Sequence, residues 1–169
     1  MAIAFARQDA DIAIIGRHAD GAAERIKVQI ESLSRKCLLY IADVSQAGPA
    51  AECVKATSRE FGAMGVLVHC AGGTAPSSLL KVTPEVWCWA FDTDVHAIFH
   101  LCRAAVPLMQ KRHAGAIVLI SFGAGLRGCV SAIFYRVAKG ALLQFASWSG
   151  ITFASTAFLR ESKFCPAYE

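Results

Sequence analysis

A parallel α/β sheet with helices on both faces is the fold this sequence predicts, and three observations predict it. Four short runs are continuously apolar, as in strands buried on both faces, where a half-solvated strand would alternate. The segments between them change to helical period, and the connections are too long for hairpins. Right-handed crossovers would then join each strand to the next.

The elements follow in order. Residues 11–16 (Asp-Ile-Ala-Ile-Ile-Gly) read as a strand. Ala23, Ile26, Ile30 and Leu33 recur at helical spacing behind a candidate cap at Asp20. A second strand is expected at residues 37–41 (Cys-Leu-Leu-Tyr-Ile), then a helix carrying Ala51, Val54, Ser58 and Phe61, with Pro49 in its first turn. Residues 65–70 (Gly-Val-Leu-Val-His-Cys) and 116–120 (Ala-Ile-Val-Leu-Ile) supply two further strands. Between them a long helix should start at Thr83-Pro84, cap followed by first-turn proline, and run towards Arg112, with Pro107 as a kink or break. From about Trp148 the periodicity dissolves. The expected division is therefore an organised region at residues 1–147 and a divergent C-terminal tail at residues 148–169.

Composition bounds the function. The 169 residues are 55% hydrophobic and 18% charged, with a mean hydropathy of +0.44, enough apolar material for one core. The 17 Lys and Arg against 13 Asp and Glu are scattered, without the run of basic residues that would invite nucleic acid or anionic lipid, so a small-molecule partner is expected. Seven cysteines without a C-x-x-C pair fit a reducing compartment and act as small core hydrophobes. No apolar run approaches the ~18 residues of a membrane span, and the start lacks the layout of a signal peptide; a soluble cytoplasmic protein is expected.

Tyr135 and Lys139 lie four apart, on one face of a helix. An ammonium beside a phenol favours the phenolate, which lowers the tyrosine pKa from its ordinary ~10 and lets it exchange a proton with a substrate oxygen. Asp92, His96 and His100 also share a helix stripe, yet they span ~12 Å and lack a zinc hydrolase's glutamate, so a polar face is expected there and no metal site. Trp87, Trp89, Phe91 and Phe99 are read as packing residues.

Taken in order, these motifs resemble the short-chain dehydrogenase/reductase family over roughly residues 1–147. Met-Ala-Ile-Ala-Phe-Ala-Arg is similar to the helix after the family's first glycine turn, and Ile-Ala-Ile-Ile-Gly-Arg to its second strand. Ala42-Asp43-Val44 resembles the loop that contacts adenine, and His69-Cys70-Ala71-Gly72 the Asn-Asn-Ala-Gly motif. Trp87 to Cys102, Gly115 to Gly125 and Tyr135 to Lys139 complete the series. The resemblance implies a doubly wound, Rossmann-like parallel sheet, here incomplete, without the family's first strand and Gly-rich turn. It implies cofactor contacts from Arg17, Asp43, Val44, Ala71, Gly72, Tyr135 and Lys139. Where an acidic residue would bond the ribose of NAD, Gly16-Arg17 offers a guanidinium for a 2'-phosphate, which favours NADP over NAD. Arg17 also reads as a solvated strand-end charge, and Asp43 as a loop carboxylate bonding its own backbone.

The catalytic set implied by the resemblance is Tyr135, Lys139, Asp94 and Ser121. The family's serine position holds Phe122, so adjacent Ser121 replaces the donor only if the strand slips or bulges; Ser131 is another hydroxyl nearby. Asp94 stands where the family has a helix asparagine, and a carboxylate aimed at Lys139 would stabilise the ammonium while repelling a phenolate. The expected function is interconversion of a small alcohol and its carbonyl, impaired by truncation and by loss of the serine. The alternative is a non-catalytic truncated relative that associates through its long helices, as a homo-oligomer or interaction module. Later strands are not expected, although the segment after 148 is a candidate to fill the gap left by the first strand.

Overall fold

The computed structural model describes residues 1–18, 21–73, 78–122, 132–153 and 158–165, with residues 122, 148–153 and 158–165 as backbone alone. The candidate cap Asp20 and the hydroxyl of Ser131 lie outside them. A short helix α1 (Ala2–Ala6) leads into β1 (Ile12–Gly16), α2 (Gly21–Glu31) and β2 (Cys37–Ile41). Then come α3 (Ala47–Phe61), β3 (Val66–His69) and a 3-10 turn at Leu79–Lys81. The helix α4 (Pro84–Phe91) passes through a π-helical turn (Asp92–His96) into α5 (Ala97–Lys111), followed by β4 (Gly115–Phe122), α6 (Ile133–Phe153) and β5 (Phe158–Cys165).

The alternating order produces two parallel sheets, β1-β2 and β3-β4-β5. The first is pinned at its base. Asp11 accepts from the Lys36 amide at 2.9 Å and meets Arg35 Nη2 at 3.0 Å, while Ile12 N donates to Lys36 O. That amide hydrogen bond, reinforced by Arg35, holds the Asp11 carboxyl below its ordinary pKa. Among the described residues the outer edges of β1 and β3 have no strand partner, and one core nevertheless joins the two sheets. Ile15 and Tyr40 pack on the cluster that contains Leu67 and Leu119 with Val54 of α3 and Ile98 and Leu101 of α5. A second cluster, Ala90, Phe134 and Ala138 with Val95 and Tyr135 against it, ties α4 to α6. Gly62 ends α3 at φ +72°, the left-handed conformation for which a residue without Cβ is suited.

The predicted long helix does start at Pro84, capped by the Thr83 hydroxyl, which accepts from Val86 N at 3.4 Å. It is not interrupted at Pro107, which α5 absorbs before ending at Lys111; the irregular turn lies at Asp92–His96 instead. Regular backbone also continues past 147: α6 runs to Phe153, and β5 pairs in parallel with β4 from Gly115↔Phe158 to Phe122↔Cys165. The sequence does not predict a strand beyond β4, because Phe-Leu-Arg-Glu-Ser-Lys-Phe-Cys has no apolar run. An edge strand needs one neighbour only, and charged residues suit an edge. Its place beside β4 also means that it does not fill the gap beside β1. Trp87, Trp89 and Phe99 are not core residues: they are 36%, 37% and 43% exposed, on faces of α4 and α5 that no other element covers among the described residues. Of the cysteines, Cys53 and Cys102 are buried, whereas Cys70 and Cys88 are exposed.

Candidate active site at the carboxyl ends of the strands

Open α/β sheets bind ligands beyond the carboxyl ends of their parallel strands, and the predicted residues collect at those ends. Beyond β1 stands Arg17, exposed; beyond β2 stand Ala42, Asp43 and Val44, held beside β1 by the bond from Ala42 N to Gly16 O. Asp43 Oδ1 accepts from the amide and hydroxyl of Ser45 at 3.1 and 2.7 Å. The Ser45 hydroxyl chiefly, with the nearby Arg17 charge in addition, keeps the Asp43 carboxyl below its ordinary pKa. One oxygen of Asp43 is thus occupied by its own loop.

The chemistry-bearing cluster lies beyond β3 and β4. Tyr135 and Lys139 share a face of α6, as their spacing predicts, with the Lys139 ammonium 5.6 Å from the centre of the Tyr135 ring. The ammonium is interior, on a side chain only 4% exposed. It lies 2.7 Å from Asp94 Oδ1 and donates to Ala71 O at 3.1 Å and Ile120 O at 3.2 Å. The carboxylate contact is off the hydrogen-bonding direction, so it is an ion contact, and neither Asp94 oxygen finds an aligned donor among the described residues. Burial raises the Asp94 pKa, and Lys139 offsets part of that.

Two neighbours complete the cluster. Gly72 has φ +144°, and a Cβ built there would stand 2.7 Å from Asp94 Oδ1 and 2.8 Å from Lys139 Nζ. Only glycine lets the loop after β3 close over the ion pair. His69 is 2% exposed, with Nε2 unpartnered among the described residues. Its burial, and after that the Lys139 charge, pull its pKa down to about 4, against a hydrogen bond with the Asp94 backbone. The ring is neutral at pH 7.

Ser121 is differently placed from what a substrate donor requires. It is buried, and its hydroxyl donates to the Lys139 carbonyl at 2.9 Å. The pairing of β4 with β5 runs unbroken through Ser121 and Phe122, so no bulge re-aims it. Spacing singled out Tyr135 and Lys139, and the family resemblance Asp94; the resemblance also named Ala71 and Gly72, as cofactor contacts, but the approach of Gly72 to the ion pair and the Ala71 and Ile120 carbonyls as partners of Lys139 have no sequence signal. Asp92 and His96 pair with each other at 2.7 Å on the surface.

A dinucleotide fits this edge of the molecule in two respects. Cys70, Ala71 and Gly72 are exposed in the loop after β3, and Arg17 is exposed at the end of β1.

Known proteins with a similar sequence and fold fall in one family. A model of the short chain dehydrogenase family matches residues 1–166. The chain is 30% identical over 142 residues to 3-oxoacyl-(acyl-carrier-protein) reductase FabG of Chlamydia muridarum, covering 84% of this chain and 57% of that protein. It is 31% identical over 158 residues to 2-(R)-hydroxypropyl-CoM dehydrogenase of Xanthobacter autotrophicus, covering 92% and 63%. In structure it resembles NAD+-bound xylitol dehydrogenase, with a TM-score of 0.89 at 20% identity over 95% of this chain and 62% of that one. Carveol dehydrogenase from Mycobacterium avium in complex with NAD gives a TM-score of 0.89 at 21% identity over 95% and 63%. The chain thus spans about three fifths of the length of these relatives. With an ordered motif series, a parallel α/β fold and a match over nearly all its length, the chain belongs to the short-chain dehydrogenase/reductase family of oxidoreductases.

Proposed function

We propose that this chain carries the proton-transfer residues of an NADP-linked oxidoreductase that interconverts a small alcohol and its carbonyl, at a reduced rate. The observation that carries this reading is the placement of Tyr135 and Lys139 on α6 with the Lys139 ammonium bonded to the Ala71 carbonyl in the loop after β3. The nicotinamide, when bound, supplies or accepts the hydride. In reduction Tyr135 gives the proton of its Oη to the carbonyl oxygen; in oxidation it takes that proton back. Lys139 holds a positive charge near the Tyr135 ring, Ala71 and Gly72 offer backbone to the cofactor, and Arg17 supports the choice of NADP over NAD.

The reduced rate follows from Ser121. Its hydroxyl proton is committed to the Lys139 carbonyl, and Phe122 has no donor, so a developing oxyanion loses one stabilising bond, worth ~100-fold or more in rate. The relatives named above support the reaction class, and substrate identity is left open. The cytoplasm, and self-association through α5 and α6 where Phe99 and Val137 are exposed, belong to the same proposal.

A second reading is favoured by the engaged state of Lys139 and Ser121: a non-catalytic relative that acts through its exposed helix faces. Titrating the purified chain with NADPH while following nicotinamide fluorescence separates the two. Saturable binding, with turnover abolished in Tyr135→Phe, is expected; absence of binding at millimolar NADPH overturns the enzyme reading.

A further inference from the structure

We infer that Trp89 is a positioning residue: the outer edge of its indole takes the space of the side chain that Gly73 lacks, and so holds the loop after β3 closed over Lys139. That a closed loop serves cofactor binding rests on the oxidoreductase reading above; that the indole holds it closed does not.

Two adjacent glycines follow β3, and they are glycine for different reasons. Gly72 sits at φ +144°, whereas the backbone of Gly73 lies outside the positive-φ region and would accept an ordinary L residue. What excludes a side chain at 73 is a neighbour. The three atoms nearest a Cβ built there all belong to Trp89: Cη2 at 2.6 Å, Cζ2 at 3.3 Å and Cζ3 at 3.7 Å. A ring edge that close leaves no room for a methyl group. The contact is therefore a fit of size between the largest side chain and the smallest residue.

The surroundings give this contact its weight. Trp89 is 37% exposed on its face of α4, so burial in the core does not account for a tryptophan there. The loop is equally bare. Cys70, Ala71 and Gly72 are exposed, and burial returns at Gly73, where the indole lies. At its start the loop is fixed by His69, buried and paired in register with Leu119. Midway, the Ala71 carbonyl accepts from Lys139 Nζ at 3.1 Å, and the Cβ position of Gly72 lies 2.8 Å from the same nitrogen. An exposed stretch held by one strand end and one hydrogen bond opens easily unless its far end is also tied. Trp89 ties it, and the Lys139 side chain stays 4% exposed beneath.

The anchor is tested on the full chain without cofactor, by the rate at which acetic anhydride labels Lys139 relative to exposed Lys55, read by peptide mass spectrometry, while alkylation of buried Cys53 and Cys102 reports global opening. Lys139 is expected to label at least ~10-fold more slowly than Lys55 in the wild type, and Trp89→Ala to raise Lys139 labelling at least ~5-fold with Lys55 and both thiols unchanged. Gly73→Ala should also release Lys139, since its methyl and the indole cannot share the space. The double variant Gly73→Ala/Trp89→Phe separates a positioning role from a merely structural one: the shorter ring makes room for the methyl, so most of the wild-type protection should return. Fast labelling of Lys139 in the wild type, unchanged protection in Trp89→Ala, a double variant that labels as fast as Gly73→Ala or faster, or thiols that open in step with Lys139 would each overturn the inference. Gly73→Ala and the double variant decide it alone if Trp89→Ala does not fold. None of these outcomes depends on NADPH binding, so failure of the anchor and failure of the oxidoreductase reading are told apart.

Discussion

Acidification tests the interior of this site through His69. The unfolded chain takes up a proton at this residue near pH 6.5, whereas in the folded state burial and the Lys139 charge delay protonation to about 4. Between those values the unfolded state binds more protons, so stability falls as pH falls. The full displacement is worth about 3 kcal/mol below pH 4, and about 2 kcal/mol of that is lost between pH 7 and pH 5. For a chain of this size that corresponds to ~4–8 °C in Tm. Asp94 acts in the opposite sense: its raised pKa lets the folded state hold a proton that the unfolded state has released, which adds stability as pH falls towards 3.8. The variant His69→Asn separates the two contributions, because it removes one titration and keeps a polar side chain at the end of β3. Urea unfolding at half-unit steps between pH 7 and pH 5 gives the two stability curves. The wild-type curve should lose about 2 kcal/mol more than that of His69→Asn over this interval. Parallel curves would refute the argument that His69 is buried neutral beside a fixed positive charge.

Other expectations follow from the same geometry. Gly72→Ala combines a backbone conformation unfavourable to L side chains with a Cβ pressed against two buried charged atoms, and should cost about 2–4 kcal/mol in urea unfolding. Lys139→Met leaves Asp94 buried without a counter-ion and should cost about 3–5 kcal/mol, most of it recovered in the double variant Asp94→Leu/Lys139→Met; a double variant as unstable as the single one would contradict this. Arg17→Glu should reverse the cofactor preference from NADP towards NAD by at least ~10-fold in fluorescence titrations, since a carboxylate repels a 2'-phosphate and accepts from a ribose hydroxyl.

Much of the fold is legible in the sequence because short-range physics decides it. The apolar runs at 11–16, 37–41, 65–70 and 116–120 become β1 to β4 within one or two residues at most ends, and Thr83-Pro84 starts α4. In each case the residues that form the element also bury it. The pairing of β5 with β4 is different: it depends on a neighbour supplying a hydrogen-bonding edge, and a strand with Arg160, Glu161 and Lys163 carries no apolar signal of its own. Likewise the interruption of the long helix falls at Asp92–His96 and not at Pro107. Proline has a local signature, whereas a π turn answers to what its residues meet inside.

The candidate site divides along the same line. Spacing alone placed Tyr135 and Lys139 on one helical face, and a guanidinium at the end of the strand that resembles the family's second made Arg17 a candidate partner for phosphate. Tertiary structure decided what those groups touch. It turned Asp94 onto Lys139, spent the Ser121 hydroxyl on a main-chain carbonyl and buried His69 with a depressed pKa. Sequence determines which side chains carry charge and on which face of their own element they emerge. The dielectric around a charge, and the partner at the far end of a hydrogen bond, come from segments as many as 68 residues away, as between Lys139 and Ala71, and only the packed chain sets them.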